Sequence, residues 1–94
     1  MRKFWRCAKL KIMKKLTYEI VIEREEDPKA GYSVYCPDLP GCFSNGGSLA
    51  EAKTNMAEAI GLHLESLRAL GKRIPKPQHR LMVAELEFSI PEFA

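Results

Sequence analysis

The chain has 94 residues, of which 46% are hydrophobic and 29% are charged, a composition typical of one small globular domain with one modest core. Its formal net charge is +3, from 15 basic and 12 acidic residues. No apolar run approaches the ~20 residues of a bilayer-spanning helix, and the basic start lacks the apolar stretch of a signal peptide. We therefore expect a cytoplasmic protein without a membrane segment.

Positive charge is concentrated at the N-terminus. Seven basic residues and no acidic residue lie among the first fifteen positions, and the remainder holds eight basic and twelve acidic residues. We interpret residues 1–13 as a basic N-terminal arm or extension, and residues 14–94 as the folded domain. A basic arm suits contact with nucleic acid, whereas the mildly acidic body suits a basic protein partner.

The first predicted element is a strand over residues 16–24. Its side chains alternate, with Ile20 and Ile22 on one face and Glu19 and Glu23 on the other. Alternation with β-branched residues predicts a strand that is buried on one side only.

A second strand is predicted over residues 32–36, after a polar turn at 25–31 that contains proline and glycine. Val34 and Cys36 fall on one face of this strand, and Tyr35 falls on the other. The two strands therefore predict an antiparallel pair with one apolar face.

A stiff corner follows, with the sequence Pro37-Asp38-Leu39-Pro40-Gly41. Each proline fixes its own φ near −65° and favours an extended residue before it, while the glycine permits a left-handed backbone. The corner leads into a short predicted third strand over residues 41–45.

A helix is predicted over residues 49–70. Ser48 is a favourable N-cap and Glu51 completes a capping box, while Gly71 is a C-cap glycine. Its apolar stripe consists of Leu49, Ala52, Met56, Ile60, Leu64 and Leu67.

A fourth strand is predicted over residues 81–88, after an extended linker at 74–77. One face of this strand carries Met82, Ala84, Leu86 and Phe88, and the other carries Glu85 and Glu87. The order β-β-β-α-β predicts a two-layer α+β domain, in which one helix packs on a four-strand sheet.

The corner and the helix start resemble the HicB-like antitoxin family. The matching positions are Pro37 to Gly41, then Ser48, Leu49, Glu51 and Ala52, and His63-Leu64-Glu65. The resemblance implies a partial ribonuclease-H-like fold and an antitoxin that binds and neutralises a HicA-type mRNA-cleaving ribonuclease toxin by covering its active site. Many members continue into a DNA-binding domain. The sequence stops at Ala94, and we expect a short, single-domain member without that C-terminal domain.

No pattern in the sequence predicts catalysis, a metal site or a cofactor. His63 and His79 lie in no nucleophile or metal motif, and His63 is predicted to pack beside the apolar stripe. Cys7, Cys36 and Cys42 form no Cys-x-x-Cys pair, which argues against zinc. Cys36 and Cys42 are expected to be small buried thiols that remain reduced.

The predicted functional feature is therefore a surface that binds a protein partner. We expect a HicA-like toxin and further copies of the chain as partners. The candidate contact residues are Glu19, Glu23, Tyr35, Asp38, Leu39, Pro40, Glu85 and Glu87. The alternative hypothesis is a stand-alone nucleic-acid-binding or orphan oligomeric domain that uses the basic N-terminal arm.

Overall fold

The structure is a computed structural model that describes residues 14–92. The predicted basic N-terminal arm, residues 1–13, lies outside the described residues. The elements are β1 (Val21–Arg24), a 3-10 turn (Pro28–Ala30), β2 (Tyr32–Tyr35), β3 (Phe43–Gly46) and helix α1 (Leu49–Ala69).

The three strands form one antiparallel sheet in the order β1-β2-β3. Val21 lies opposite Tyr35, and Tyr35 lies opposite Phe43. β1 is shorter than the predicted strand, because its partner β2 ends at Tyr35 and Pro37, which lacks an N–H, begins the corner. Residues 16–20 consequently lie outside the ladder.

The corner directs its central residue into the core. The N–H of Leu39 donates to the Cys36 carbonyl at 3.1 Å, and the N–H of Cys42 donates to the Leu39 carbonyl at 3.0 Å. Gly41 adopts a φ of +85°, the left-handed conformation that the sequence predicts. The side chain of Leu39 is 0% exposed, so the corner closes one end of the core.

Helix α1 begins as its sequence predicts. The N–H of Glu51 donates to the Ser48 hydroxyl at 3.1 Å, and the Glu51 carboxylate accepts a hydrogen bond from the N–H of Gly47. The helix ends one residue before the predicted end, with Leu70 as the C-cap and Gly71 at a φ of +70°.

One face of α1 packs against β3 and β2. The backbones approach closely at Gly46, where an added Cβ would lie 2.4 Å from the backbone nitrogen of Ala52. The two-layer α+β arrangement is thus confirmed. The buried core consists of Val34, Cys36, Leu39, Cys42, Ala52 and Met56.

The predicted fourth strand is not formed by the described chain, whose sheet has three strands. Residues 81–92 carry no helix or strand, and we call this segment the tail. Val83 and Phe88 on this segment are both exposed. Alternation makes a segment suitable for a strand, but a strand also needs a neighbouring backbone for its N–H and C=O groups. The partial ribonuclease-H-like fold, which would require this strand, is not confirmed.

Candidate protein interface

Three apolar side chains form a row across the sheet face that α1 leaves open. Val21, Tyr35 and Phe43 lie opposite one another in adjacent strands, and we call them the aromatic row. Tyr35 is 44% exposed and Phe43 is 70% exposed. Cross-strand neighbours on one face lie within contact distance of each other, so the row offers a continuous apolar surface.

A polar row runs beside the aromatic row on the same face. It consists of Glu23, Ser33 and Asn45, which the register places opposite one another. Glu23 is exposed, and it lies two positions from Val21. Side-chain alternation correctly predicts that Glu23 and Tyr35 share this outer face.

Phe43 is the prominent surface residue that sequence reasoning missed. The corner places it opposite Tyr35, through the hydrogen bond from the N–H of Cys36 to the carbonyl of Cys42 at 3.2 Å. The antiparallel register would have identified it: residues at equal distances before and after Leu39 lie opposite each other, which pairs Tyr35 with Phe43.

The apolar surface continues around the edge of β3 onto the helix. Phe43, Leu62 and His63 line a shallow groove there, and Leu62 is 60% exposed. His63 is half-buried against the helix side of this groove, in agreement with its predicted packing role. Apolar and aromatic groups with a polar surround are typical of protein interfaces.

The three corner residues of the predicted interface have different environments. Leu39 is fully buried and presents no surface, whereas Pro40 is exposed at the tip. The side chain of Asp38 is 7% exposed, and its Oδ2 accepts a hydrogen bond from the N–H of Gln78 at 3.0 Å. Asp38 therefore attaches residues 72–80, which follow the helix and which we call the linker, to the corner.

Glu19 has a similar role at the point where this linker meets the tail. Its Oε1 accepts a hydrogen bond from the N–H of Leu81 at 3.3 Å, and the neighbouring Tyr18 hydroxyl donates to the Pro75 carbonyl. Both contacts hold the linker beside the start of β1.

The expected position of Glu85 and Glu87 on the outer sheet face is not confirmed, because the sheet of the described chain has three strands. Both are exposed on the tail, beyond the contacts that hold the linker. Because the tail is not paired to the sheet, the structure does not bring these carboxylates next to Glu23 or Tyr35.

Two titratable groups near the core are held in their neutral forms. Burial raises the pKa of the Tyr18 hydroxyl, and nearby Cys36 and Asp38 raise it further. A protonated hydroxyl is what the hydrogen bond to Pro75 requires. Burial also raises the pKa of the Cys42 thiol, and nearby Cys36 raises this pKa further. The Cys42 thiol is therefore a poor nucleophile at neutral pH.

Within residues 14–92, no three His, Cys, Asp or Glu side chains are grouped so that they could bind a metal ion. The helix in this part of the chain is not apolar enough to span a bilayer.

The described residues thus form a small α+β fold of three antiparallel strands and one helix, with an exposed aromatic row on the open face of the sheet. The chain belongs to the HicB-like antitoxin family: the sequence model described as "HicB_like antitoxin of bacterial toxin-antitoxin system" matches residues 18–93. This confirms the resemblance that the corner and the helix start indicate.

Curated relatives come from phage, bacteria and archaea. The chain is 44% identical over 61 residues to an uncharacterized 14.9 kDa protein of Haemophilus phage HP1, and the match covers 65% of this chain and 44% of the phage protein. It is 44% identical over 59 residues to a UPF0150 protein of Synechocystis, covering 63% and 72% of the two chains. It is 39% identical over 61 residues to a UPF0150 protein of Thermoplasma acidophilum, covering 65% and 86%. No solved structure gives a significant match.

Proposed function

We propose that this protein is an antitoxin that binds and neutralises a HicA-type toxin, an mRNA-cleaving ribonuclease, by covering the active site of the toxin. Its own role is binding rather than catalysis. Membership of the HicB-like family supports the antitoxin role. The observation that carries the proposed binding mode is the exposed aromatic row on the open face of the sheet.

The aromatic row has the chemistry of an interface centre. Tyr35 and Phe43 expose large, rigid side chains, and the hydroxyl of Tyr35 can hydrogen-bond at the edge of an apolar contact. Aromatic residues at the centre of an interface commonly contribute most of its binding free energy.

Acidic residues at one end of the same sheet suit a basic, RNA-binding partner. Glu23 lies on the outer face, and Glu25, Glu26 and Asp27 follow it in the exposed turn after β1. Complementary charge mainly accelerates association and excludes wrong partners, and exposed pairs are weakened by salt.

The test uses the full chain and the HicA-type toxin encoded in the same genome, with cleavage of an mRNA substrate as the readout. We expect excess wild-type chain to abolish cleavage. The double variant Tyr35→Ala, Phe43→Ala should weaken toxin binding at least about 30-fold, as expected for interface centres worth about 2 kcal/mol or more. The control is Leu70→Ala, which removes a 68% exposed leucine at the far end of the helix.

The charge contribution is tested with Glu23→Lys. This variant should slow association with the toxin more than it accelerates dissociation, and the difference from wild type should shrink at high salt. Circular dichroism of each variant checks that the sheet and helix persist. Undiminished cleavage in the presence of excess wild-type chain would refute the antitoxin proposal. An affinity for the toxin that is unchanged in the folded double variant would refute the aromatic row as the contact surface.

A further inference from the structure

The tail has the pattern of a buried strand but lies in solvent. Met82, Leu86 and Phe88 are 92%, 81% and 79% exposed, and Ile90 is 80% exposed. Scattered apolar residues are normal at a protein surface, but an alternating run of this length is not. An exposed, unpaired segment of this kind has a strong tendency to join the edge of a sheet.

The tail begins beside an open sheet edge of its own chain and then leaves it. The hydrogen bond from the N–H of Leu81 to Glu19 places the start of the tail near the start of β1. Leu81 is 41% exposed, and the exposure rises to 92% at the next residue, Met82. Just before this point His79 has a φ of +53°, a left-handed conformation that is uncommon for a residue with a side chain.

The β1 edge is incomplete without a further strand. Among the described residues, β1 pairs only with β2, and no described strand lies along its other side. The helix packs chiefly on β3 and β2, and the apolar residues Ile20 and Ile22 at the β1 side are only half-buried. A strand added beside β1 would cover these side chains and pair with the backbone of β1.

We propose that residues 82–90 pair with β1 of a second copy of this chain, and that each copy receives the same segment in return. The two copies offer identical edges and identical tails, so a two-fold axis makes the exchange closed and self-limiting. It supplies the fourth strand that the sequence pattern predicts and the single chain lacks. It also removes two exposed sheet edges and two apolar tails from water in one step.

The exchange would extend the candidate protein interface. With Leu86 and Phe88 directed toward the helix layer, alternation directs Glu85 and Glu87 toward the outer face, beside Glu23. The second copy would then contribute carboxylates to the surface on which the proposed toxin contact lies. The exchange itself does not rest on the proposed function, because it is a property of the chain alone.

The first test is the mass of the full-length chain in solution, measured by light scattering. Wild type should have twice the 10.7 kDa of one chain. The variant Leu86→Asp, Phe88→Asp should be monomeric at the same concentration. The matched control Glu85→Gln, Glu87→Gln changes the opposite face of the same segment and should remain dimeric.

The second test identifies the contact. Chains labelled with ¹⁴N and ¹⁵N are mixed after unfolding and refolding, with a photo-cross-linking benzoylphenylalanine in place of Phe88. Links should join chains of different label and should connect position 88 to peptides that contain β1 or the facing part of α1. A monomeric wild type, links confined to one label, or a dimer whose links avoid both β1 and the facing part of α1 would each overturn the proposal. None of these readouts involves the toxin, so failure here is distinct from failure of the antitoxin proposal.

Discussion

Asp38 and Gln78 lie 40 positions apart in the chain, yet the backbone N–H of Gln78 donates to the carboxylate of Asp38 at 3.0 Å. The carboxylate is almost fully covered, since the side chain of Asp38 is 7% exposed. This hydrogen bond attaches the linker after α1 to the corner between β2 and β3. The corner therefore positions the segment that leads into the tail, in addition to connecting two strands.

Replacing Asp38 should loosen the linker. Asp38→Ala removes the acceptor, and hydrogen bonds to charged groups are worth about 1.5–3 kcal/mol, so we expect an unfolding free energy lower by about 1–2 kcal/mol. Asp38→Asn retains a side-chain oxygen and should lose less than half of that amount. The measurements are urea unfolding and the hydrogen-exchange rate of the Gln78 amide, which should rise most in Asp38→Ala.

Arg80→Ala is the control for charge at this site. Nη2 of Arg80 lies 3.9 Å from Oδ1 of Asp38, and the Arg80 side chain is 71% exposed. An exposed pair at this distance contributes little, so this variant should change the unfolding free energy by less than about 0.5 kcal/mol. If Arg80→Ala were as harmful as Asp38→Ala, the ion pair rather than the backbone hydrogen bond would hold the linker.

Gly46 sets the distance between the helix and the sheet. An added Cβ would lie 2.4 Å from the backbone nitrogen of Ala52, a contact that rotation of a side chain cannot relieve. Gly46→Ala should therefore move α1 off β3 and lower the unfolding free energy by about 2–3 kcal/mol. Thermal or urea unfolding of the purified variant measures the loss.

Gly61→Ala is the matched control for this substitution. Gly61 lies within α1, and an added Cβ there would meet nothing within 4 Å. Alanine is favoured over glycine inside helices by about 1 kcal/mol, so this variant should gain up to that amount of stability. Equal stability changes of the same sign in the two variants would contradict the close approach at Gly46.

The sequence predicts the local elements well because their determinants are local. Ser48 and Glu51 specify the start of α1, and the alternation from Tyr32 to Tyr35 specifies β2. The outer-face positions of Glu23 and Tyr35 follow from the same alternation. These features need no information about distant parts of the chain.

The remaining features depend on partners that are distant in sequence. The contact of Asp38 with Gln78 has no local signature, and the exposure of Phe43 depends on the register across the corner. The predicted strand over residues 81–88 has the required alternation, but its pairing depends on an available edge. Local pattern cannot specify which edge that is, or which copy of the chain supplies it.

The raised pKa of the Cys42 thiol predicts a loss of stability in alkali. Below the ordinary thiol pKa of about 8.5, Cys42 is protonated in both the folded and the unfolded chain and contributes no pH dependence. Above that value the unfolded chain releases the proton while the folded chain retains it, because burial, with a further contribution from Cys36, raises the folded pKa. Stability should therefore fall as pH rises, by at most about 1.4 kcal/mol per pH unit for this one group.

The measurement is urea unfolding at pH 7.5, 8.5 and 9.5 under reducing conditions, for wild type and Cys42→Ala. The scan stays below the ordinary tyrosine pKa of about 10, so that Tyr18, whose pKa is also raised, does not add its own slope. The alanine variant will be less stable at every pH because it loses packing in the core. Its decline between pH 8.5 and 9.5 should nevertheless be shallower than that of wild type. Parallel curves for the two proteins would show that Cys42 ionises equally in the folded and unfolded chains, against the effect of its burial.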